Sequence, residues 1–329
     1  MKYAFYRLRD ITAGFWATLG GIAVALGLAS CARTGTRAAT ASSTAIPAVS
    51  LHRIAVDGVD VFYREAGPSD APVILLLHGF PSSSHMFRDL MPRLAGKYHV
   101  IAPDLPGFGF TNVPAERHYR YTFDALATTI GGFVDAIGLQ KYALYIFDYG
   151  APVGLRLAVA HPERVTALIS QNGNAYEEGL GDAWAPIRRY WANPSAENRE
   201  AVRQAVLGYA GTRAQYVEGT DANKVAPESY TLDAALLERP GQTDLQLDLF
   251  LDYQNNLKLY PTFQKFFRDY QPPTLAIWGS RDPIFIPAGA AAYRKDNPKA
   301  IVKLLDAGHF AIETNVDDIA GAIDELLRR

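Results

Sequence analysis

Asp148, Asp282 and His309 are the side chains of this sequence whose types and placement could do chemistry. Asp148 follows the apolar run from Tyr142 to Phe147. It precedes Ala151 to Ala160, where apolar residues recur at helical spacing before His161-Pro162. A strand, a sharp turn and a helix leave the central side chain standing above a sheet. A carboxylate is a weak nucleophile, but it is ionised at neutral pH. It can displace a leaving group from saturated carbon and form an ester on the protein. Asp282 lies just past the apolar run Thr274 to Gly279, and His309 just past Ile301 to Leu305. An imidazole oriented by a carboxylate can activate water against the carbonyl of such an ester. His78-Gly79-Phe80-Pro81 follows the run Val73 to Leu77 and brings backbone N–H groups to the same sheet edge, where ligands bind in open α/β sheets.

These motifs need a frame, and the rest of the chain supplies its pattern. His52 to Val56, Asp57-Gly58, and Val59 to Arg64 read as a hairpin with a tight turn. His99 to Ala102 and Val165 to Ser170 read as strands, and Thr122 to Ile137 as a helix. Strands alternating with helices predict a mostly parallel sheet with helices on both faces. Residues 172–270 are rich in aromatics and helical in pattern, without clear strands. A helical insertion whose two ends return to one sheet predicts a lid that excludes water. A helix near Ala288 and a terminal helix from Val316 complete the second half. The folded part thus divides into a first core segment, 51–171, a helical cap, 172–270, and a second core segment, 271–329.

Residues 1–30 belong to a different class. Lys2, Arg7 and Arg9 precede a mostly apolar stretch from Ile11 to Ser30, the layout of a secretory signal. Leu28-Ala29-Ser30-Cys31 resembles the lipobox of bacterial lipoproteins, which implies cleavage before Cys31 and acylation of that residue, the sole cysteine. An uncleaved anchor is the alternative, since twenty residues can just span a bilayer. Either reading predicts an exported domain held to a membrane. Residues 31–50, rich in Ala, Thr and Ser, read as a flexible tether. A net charge of -2 without long basic runs gives no footprint for nucleic acid, and the seven histidines form no metal-ligand cluster.

With its four motifs in this order, the chain from about Leu51 onward resembles an α/β-hydrolase with a helical cap. An Asp at the elbow resembles the epoxide hydrolase and haloalkane or haloacetate dehalogenase branch. The resemblance implies Asp148 as nucleophile, His309 as the base that activates water and Asp282 as its acid. The N–H groups of Phe80 and Tyr149 would take up the oxyanion. A small apolar organic substrate is implied, with no metal or organic cofactor. Asp104 to Gly109 matches a turn with a structural role, His78 reads as a loop buttress, and Ile146 stands where the elbow usually has a small residue.

Epoxide hydrolases hydrogen-bond the ring oxygen from two cap tyrosines. Tyr253, in Asp252-Tyr253-Gln254-Asn255, looks like the second of these. Leu249, Tyr253, Leu257 and Tyr260 also recur at helical spacing, so packing of the lid is the alternative to the expected donor role. In the segment Pro186 to Pro194 the first tyrosine's place falls on Ile187, with Tyr190 one turn later. Haloalkane dehalogenases often carry Trp after the nucleophile, and haloacetate dehalogenases Arg; Tyr149 stands there. The expectation is epoxide hydrolysis to diols, with dehalogenation as the alternative and a non-catalytic ligand-binding lipoprotein as the third reading.

Overall fold

The computed structural model describes residues 48–329. The expected signal, Cys31 and the tether up to residue 47 lie outside the described residues. Strand β1 (Val49–Val56) starts within the stretch 31–50 expected to be a tether, because Val49 and Ser50 pair with Ala66 and Glu65 of β2 (Val59–Ala66). Asp57 and Gly58 join them with φ of 52° and 72°, the left-handed turn that matches the twist of a hairpin.

The sheet continues with β3 (Val73–Leu77), β4 (His99–Pro103), β5 (Tyr142–Ile146), β6 (Val165–Gln171), β7 (Thr274–Gly279) and β8 (Ile301–Leu305). Its order is β1-β2-β4-β3-β5-β6-β7-β8; β1 and β2 form an antiparallel edge and β3 to β8 run parallel. The central strands are apolar throughout because both faces are covered. Leu75, Leu77, Leu144 and Ile146 point to one core layer, whereas Ile74, Leu76, Ala143 and Tyr145 point to the other. The first layer is closed by α2 (Phe123–Ala136) and α3 (Gly150–Ala160), the second by α1 (Leu90–Leu94) and α12 (Val316–Leu327). Helix α2 starts where the Thr122 hydroxyl accepts the Ala125 N–H at 3.2 Å, and it buries Leu126, Ile130 and Phe133 along one face.

Between β6 and β7 the chain is helical: α4 (Ala185–Ala192), α5 (Ala196–Val206), α6 (Gly208–Val217), α7 (Pro227–Leu237), α8 (Gln242–Asp252) and α9 (Gln254–Tyr270). This insertion is tied to the core by buried-edge contacts. Arg156 donates to Asn256 Oδ1 at 2.8 Å, the Phe123 N–H to Asp252 Oδ2 at 2.8 Å, and Arg239 to the Gly109 carbonyl at 2.9 Å. Helices α10 (Ala288–Asp296) and α11 (Ala311–Thr314) complete the core. No helix among the described residues is long and apolar enough to cross a membrane.

Candidate active site

Asp148 sits between β5 and α3 with φ of 46°, a left-handed conformation that costs a non-glycine residue roughly 1–2 kcal/mol. Local hydrogen bonds hold it there: Phe147 N to Leu77 O at 3.1 Å, Gly150 N to Phe147 O at 2.7 Å and Ala151 N to Asp148 O at 2.9 Å. The turn is backed tightly against the end of β3. A Cβ on Gly150 would collide with the Leu77 carbonyl, and one on Gly79 with the Asp148 carboxylate and the Tyr149 N–H. Ile146 fits two residues before Asp148 because Gly154 leaves the room; a Cβ there would meet Ile146 Cγ2 at 2.7 Å.

The loop after β3 supplies the next part. Phe80 N donates to Asp148 Oδ1 at 2.6 Å, and the Tyr149 N–H also bonds the carboxylate. His78 buttresses the loop, its Nε2 accepting from Leu105 N at 2.9 Å. Asp104 is likewise structural: its two oxygens accept the N–H groups of Ser84 and Phe110, each at 2.7 Å.

The loops after β7 and β8 bring in the remaining pair. His309 Nδ1 lies 2.8 Å from Asp282 Oδ2, and Nε2 lies 3.9 Å from Asp148 Oδ2 without a hydrogen-bond partner. Asp282 Oδ1 accepts from the N–H groups of Ile284 at 2.8 Å and Phe285 at 3.2 Å. These contacts leave Nδ1 as the donor to Asp282 and Nε2 as a lone-pair base facing the Asp148 carboxyl. Burial pushes the Asp148 carboxyl up to about 6, against His309 and the two backbone N–H groups that pull it down. Burial alone would lower the His309 imidazole, but the carboxylates of Asp282 and Asp148 hold it above its ordinary value.

A cavity of about 260 Å³ opens above Asp148. Phe80, Tyr149, Trp184, Ile187, Phe250 and Ile284 give it an apolar wall, and Gln215 and Glu218 of the insertion also line it. No Lys or Arg is among its lining residues. Trp184, Trp191 and Trp278 spend their indole N–H groups on the carbonyls of Ile284, Phe250 and Phe285.

Asp148, His309, Asp282, Phe80 and Tyr149 are therefore gathered in one place, whereas the two cap tyrosines are not on the cavity wall. Tyr253 is packed among Trp184, Phe123 and Tyr149, with its hydroxyl 3.4 Å from that of Tyr260. The Tyr190 hydroxyl accepts from Arg199 at 3.0 Å, inside the insertion, and Ile187 takes the cavity position. The packing alternative for Tyr253 is the one this geometry favours.

Two further groups escaped the sequence reading. The Tyr149 phenol is buried without a hydrogen-bond partner, on a residue that lines the cavity. Asn172 follows β6 with φ of 49° and donates to Asp282 Oδ2 at 2.6 Å, while its own oxygen accepts from Gly279 N at 3.2 Å. A polar run, Gln171 to Asn174, at the carboxyl end of an apolar strand was the available signal for Asn172.

Comparison with known proteins adds relatives to this geometry. The alpha/beta hydrolase fold family matches residues 72–316. An uncharacterized hydrolase of Saccharomyces cerevisiae is 53% identical over 280 residues, covering 83% of this chain and 95% of that protein. Haloalkane dehalogenase 2 of Mycobacterium tuberculosis is 28% identical over 275 residues, 77% of this chain and 87% of that protein. The crystal structure of an epoxide hydrolase from Vigna radiata superposes with a TM-score of 0.67 at 21% identity, covering 85% of this chain and 98% of that one.

Proposed function

The chain belongs to the α/β-hydrolase fold family, and from that premise we propose that it hydrolyses small apolar epoxides to diols through an ester on Asp148. The carrying observation is the unpartnered His309 Nε2, facing a carboxylate whose other oxygen is already hydrogen-bonded. Oδ2, the oxygen toward the imidazole, attacks a ring carbon and the C–O bond of the oxirane breaks. The alkoxide takes a proton from the Tyr149 phenol, whose ionisation burial pushes far up, so that its proton is on before substrate arrives. His309 then takes a proton from water, and the hydroxide adds to Asp148 Cγ. The resulting oxyanion at Oδ1 is held by the N–H groups of Phe80 and Tyr149. Collapse expels the diol oxygen, which takes the imidazolium proton, and the proton of the regenerated carboxyl group returns to the Tyr149 phenolate.

Dehalogenation is the second reading, favoured by the dehalogenase relative that aligns along most of the chain. Against it stand the three committed indoles, which leave no Trp N–H among the described residues for a departing halide. The deciding experiment is a parallel screen of epoxides and haloalkanes, read by diol formation and halide release, with intact mass of the His309→Gln variant. An adduct on Asp148 from epoxides is expected; no adduct from either class overturns the covalent scheme. Export and anchoring through acylated Cys31 form a separate proposal, tested by labelling with a palmitate analogue in cells carrying the wild type or Cys31→Ser.

A further inference from the structure

The mechanism above leaves one buried carboxyl unused. Asp233, on α7, is fully buried and receives the hydroxyl proton of Tyr216, on α6. Its second oxygen, Oδ1, has no partner. The same phenol oxygen lies 3.2 Å from the Ser82 hydroxyl, within hydrogen-bond reach. Ser82 closes the turn that carries Phe80, its own N–H bonding the Gly79 carbonyl at 2.9 Å. The other face of Tyr216 lies flat on Phe310, with ring centres 3.8 Å apart and planes 17° off parallel. Phe310 follows His309 and packs on Phe147, the residue before Asp148, at 4.9 Å.

One cap side chain thus touches both loops that serve the second half of the reaction: the one presenting the Phe80 N–H and the one presenting the imidazole. A neighbouring tie holds the same helix α7 down. Arg88 donates to Ser229 at 2.8 Å and to Glu313 of α11 at 2.6 Å. Tyr216 is bonded to Asp233, the charges of Glu313 and Asp104 act against its ionisation, and the Arg88 guanidinium is already taken by Glu313 and Ser229. Burial pushes the Asp233 carboxyl up to about 7, so the fold holds an unneutralised acid here at a cost to stability.

We propose that Tyr216 and Asp233 are positioning residues: through Ser82 and Phe310 the cap sets the oxyanion loop and the histidine loop relative to Asp148. This rests on the covalent reading for its kinetic consequence, though not for its structural one. Formation of the ester needs mainly Asp148 and the leaving-group donor. Hydrolysis of the ester needs the Phe80 N–H and the His309 imidazole placed together, and is the step that suffers.

The test compares Tyr216→Phe, which keeps the ring and removes the hydroxyl, with Asp233→Asn and with Thr212→Val. Thr212 is a buried residue of α6 whose hydroxyl has no partner, and serves as the control for a mere packing change. Single-turnover experiments with an aryl epoxide follow ester formation and decay by rapid quench and intact mass. Nitrogen-15 NMR follows the His309 ring. The expected result is ester decay slowed tenfold or more in Tyr216→Phe and Asp233→Asn, ester formation within about threefold of wild type, and displaced His309 signals in both. Wild-type decay and unmoved signals in Tyr216→Phe overturn the proposal, even where thermal stability falls. Should Asp233→Asn fail to fold, Tyr216→Phe and Ser82→Ala carry the test. If the wild type forms no ester, yet His309 signals move in Tyr216→Phe and not in Thr212→Val, the covalent reading fails and the positioning role stands.

Discussion

Replacing Asp282 by asparagine keeps the size of a buried side chain and removes its charge. Asp282 Oδ2 meets two donors, His309 Nδ1 at 2.8 Å and Asn172 Nδ2 at 2.6 Å. Oδ1 meets two more, the N–H groups of Ile284 and Phe285. An amide has one oxygen, so whichever way it turns, its NH₂ faces a pair of donors. Turned toward His309, it drives the ring proton to Nε2 and removes the base that would activate water. Turned the other way, it still forfeits the attraction between carboxylate and imidazolium. With charge centres about 4 Å apart and an effective dielectric near 20, that attraction is about 4 kcal/mol. This corresponds to about a thousandfold in the rate of ester hydrolysis. The tautomer effect adds to it, so a loss of about 10³ to 10⁴ is expected in ester decay, with ester formation little changed. Rapid-quench intact mass on an aryl epoxide measures both rates, and the alkyl ester on Asp148 should accumulate. Decay within tenfold of wild type in a folded Asp282→Asn protein would refute the assignment of Asp282 as the group that holds and charges the imidazole.

Tyr149→Phe keeps the oxyanion N–H and loses the phenol, so epoxide opening should slow by tenfold or more, whereas Tyr253→Phe should slow it less; equal effects in stopped-flow would return the donor role to Tyr253. The Asp148 carboxyl, pushed from 3.8 to about 6, is disfavoured in its ionised form by folding, so its contribution to stability is lost as pH rises across that window. Asp148→Asn should therefore stabilise the protein above pH 6 by up to about 3 kcal/mol in urea unfolding, with the gain gone below pH 4; a gain independent of pH would contradict the burial argument. Ester hydrolysis needs neutral His309, whose proton the Asp282 carboxylate favours, so its rate should climb with pH as the imidazole loses that proton, read from ester decay across a pH series. Gly150→Ala places a methyl group against the Leu77 carbonyl and should destabilise the fold by about 1–3 kcal/mol in urea unfolding while reducing turnover.

Much of the architecture is legible along the chain. β3, β7 and β8 span the expected strands Val73–Leu77, Thr274–Gly279 and Ile301–Leu305, and α10 and α12 begin at Ala288 and Val316. β1 starts earlier than its apolar pattern, because backbone pairing with Ala66 and Glu65, rather than side-chain burial, carries Val49 and Ser50 into the sheet. Strand, turn and helix are written in short-range periodicity, and loops at the carboxyl ends of parallel strands converge whatever lies between them. That is why Asp148, Asp282 and His309 could be singled out from residue type, strand placement and chain order, although Asp148 lies far from the other two in the chain.

Where each hydroxyl and amide points is not a local property. Tyr253 and Tyr190 carry the right side chain on the right segment, yet Tyr260 and Arg199 take their hydroxyls. Asn172, Tyr216 and Asp233 acquire meaning only through partners 17 to 134 positions away: Asp282, Ser82 and each other. Periodicity reports which face of an element is buried. Which donor meets which acceptor on that face depends on how the elements pack, and only the folded chain decides it.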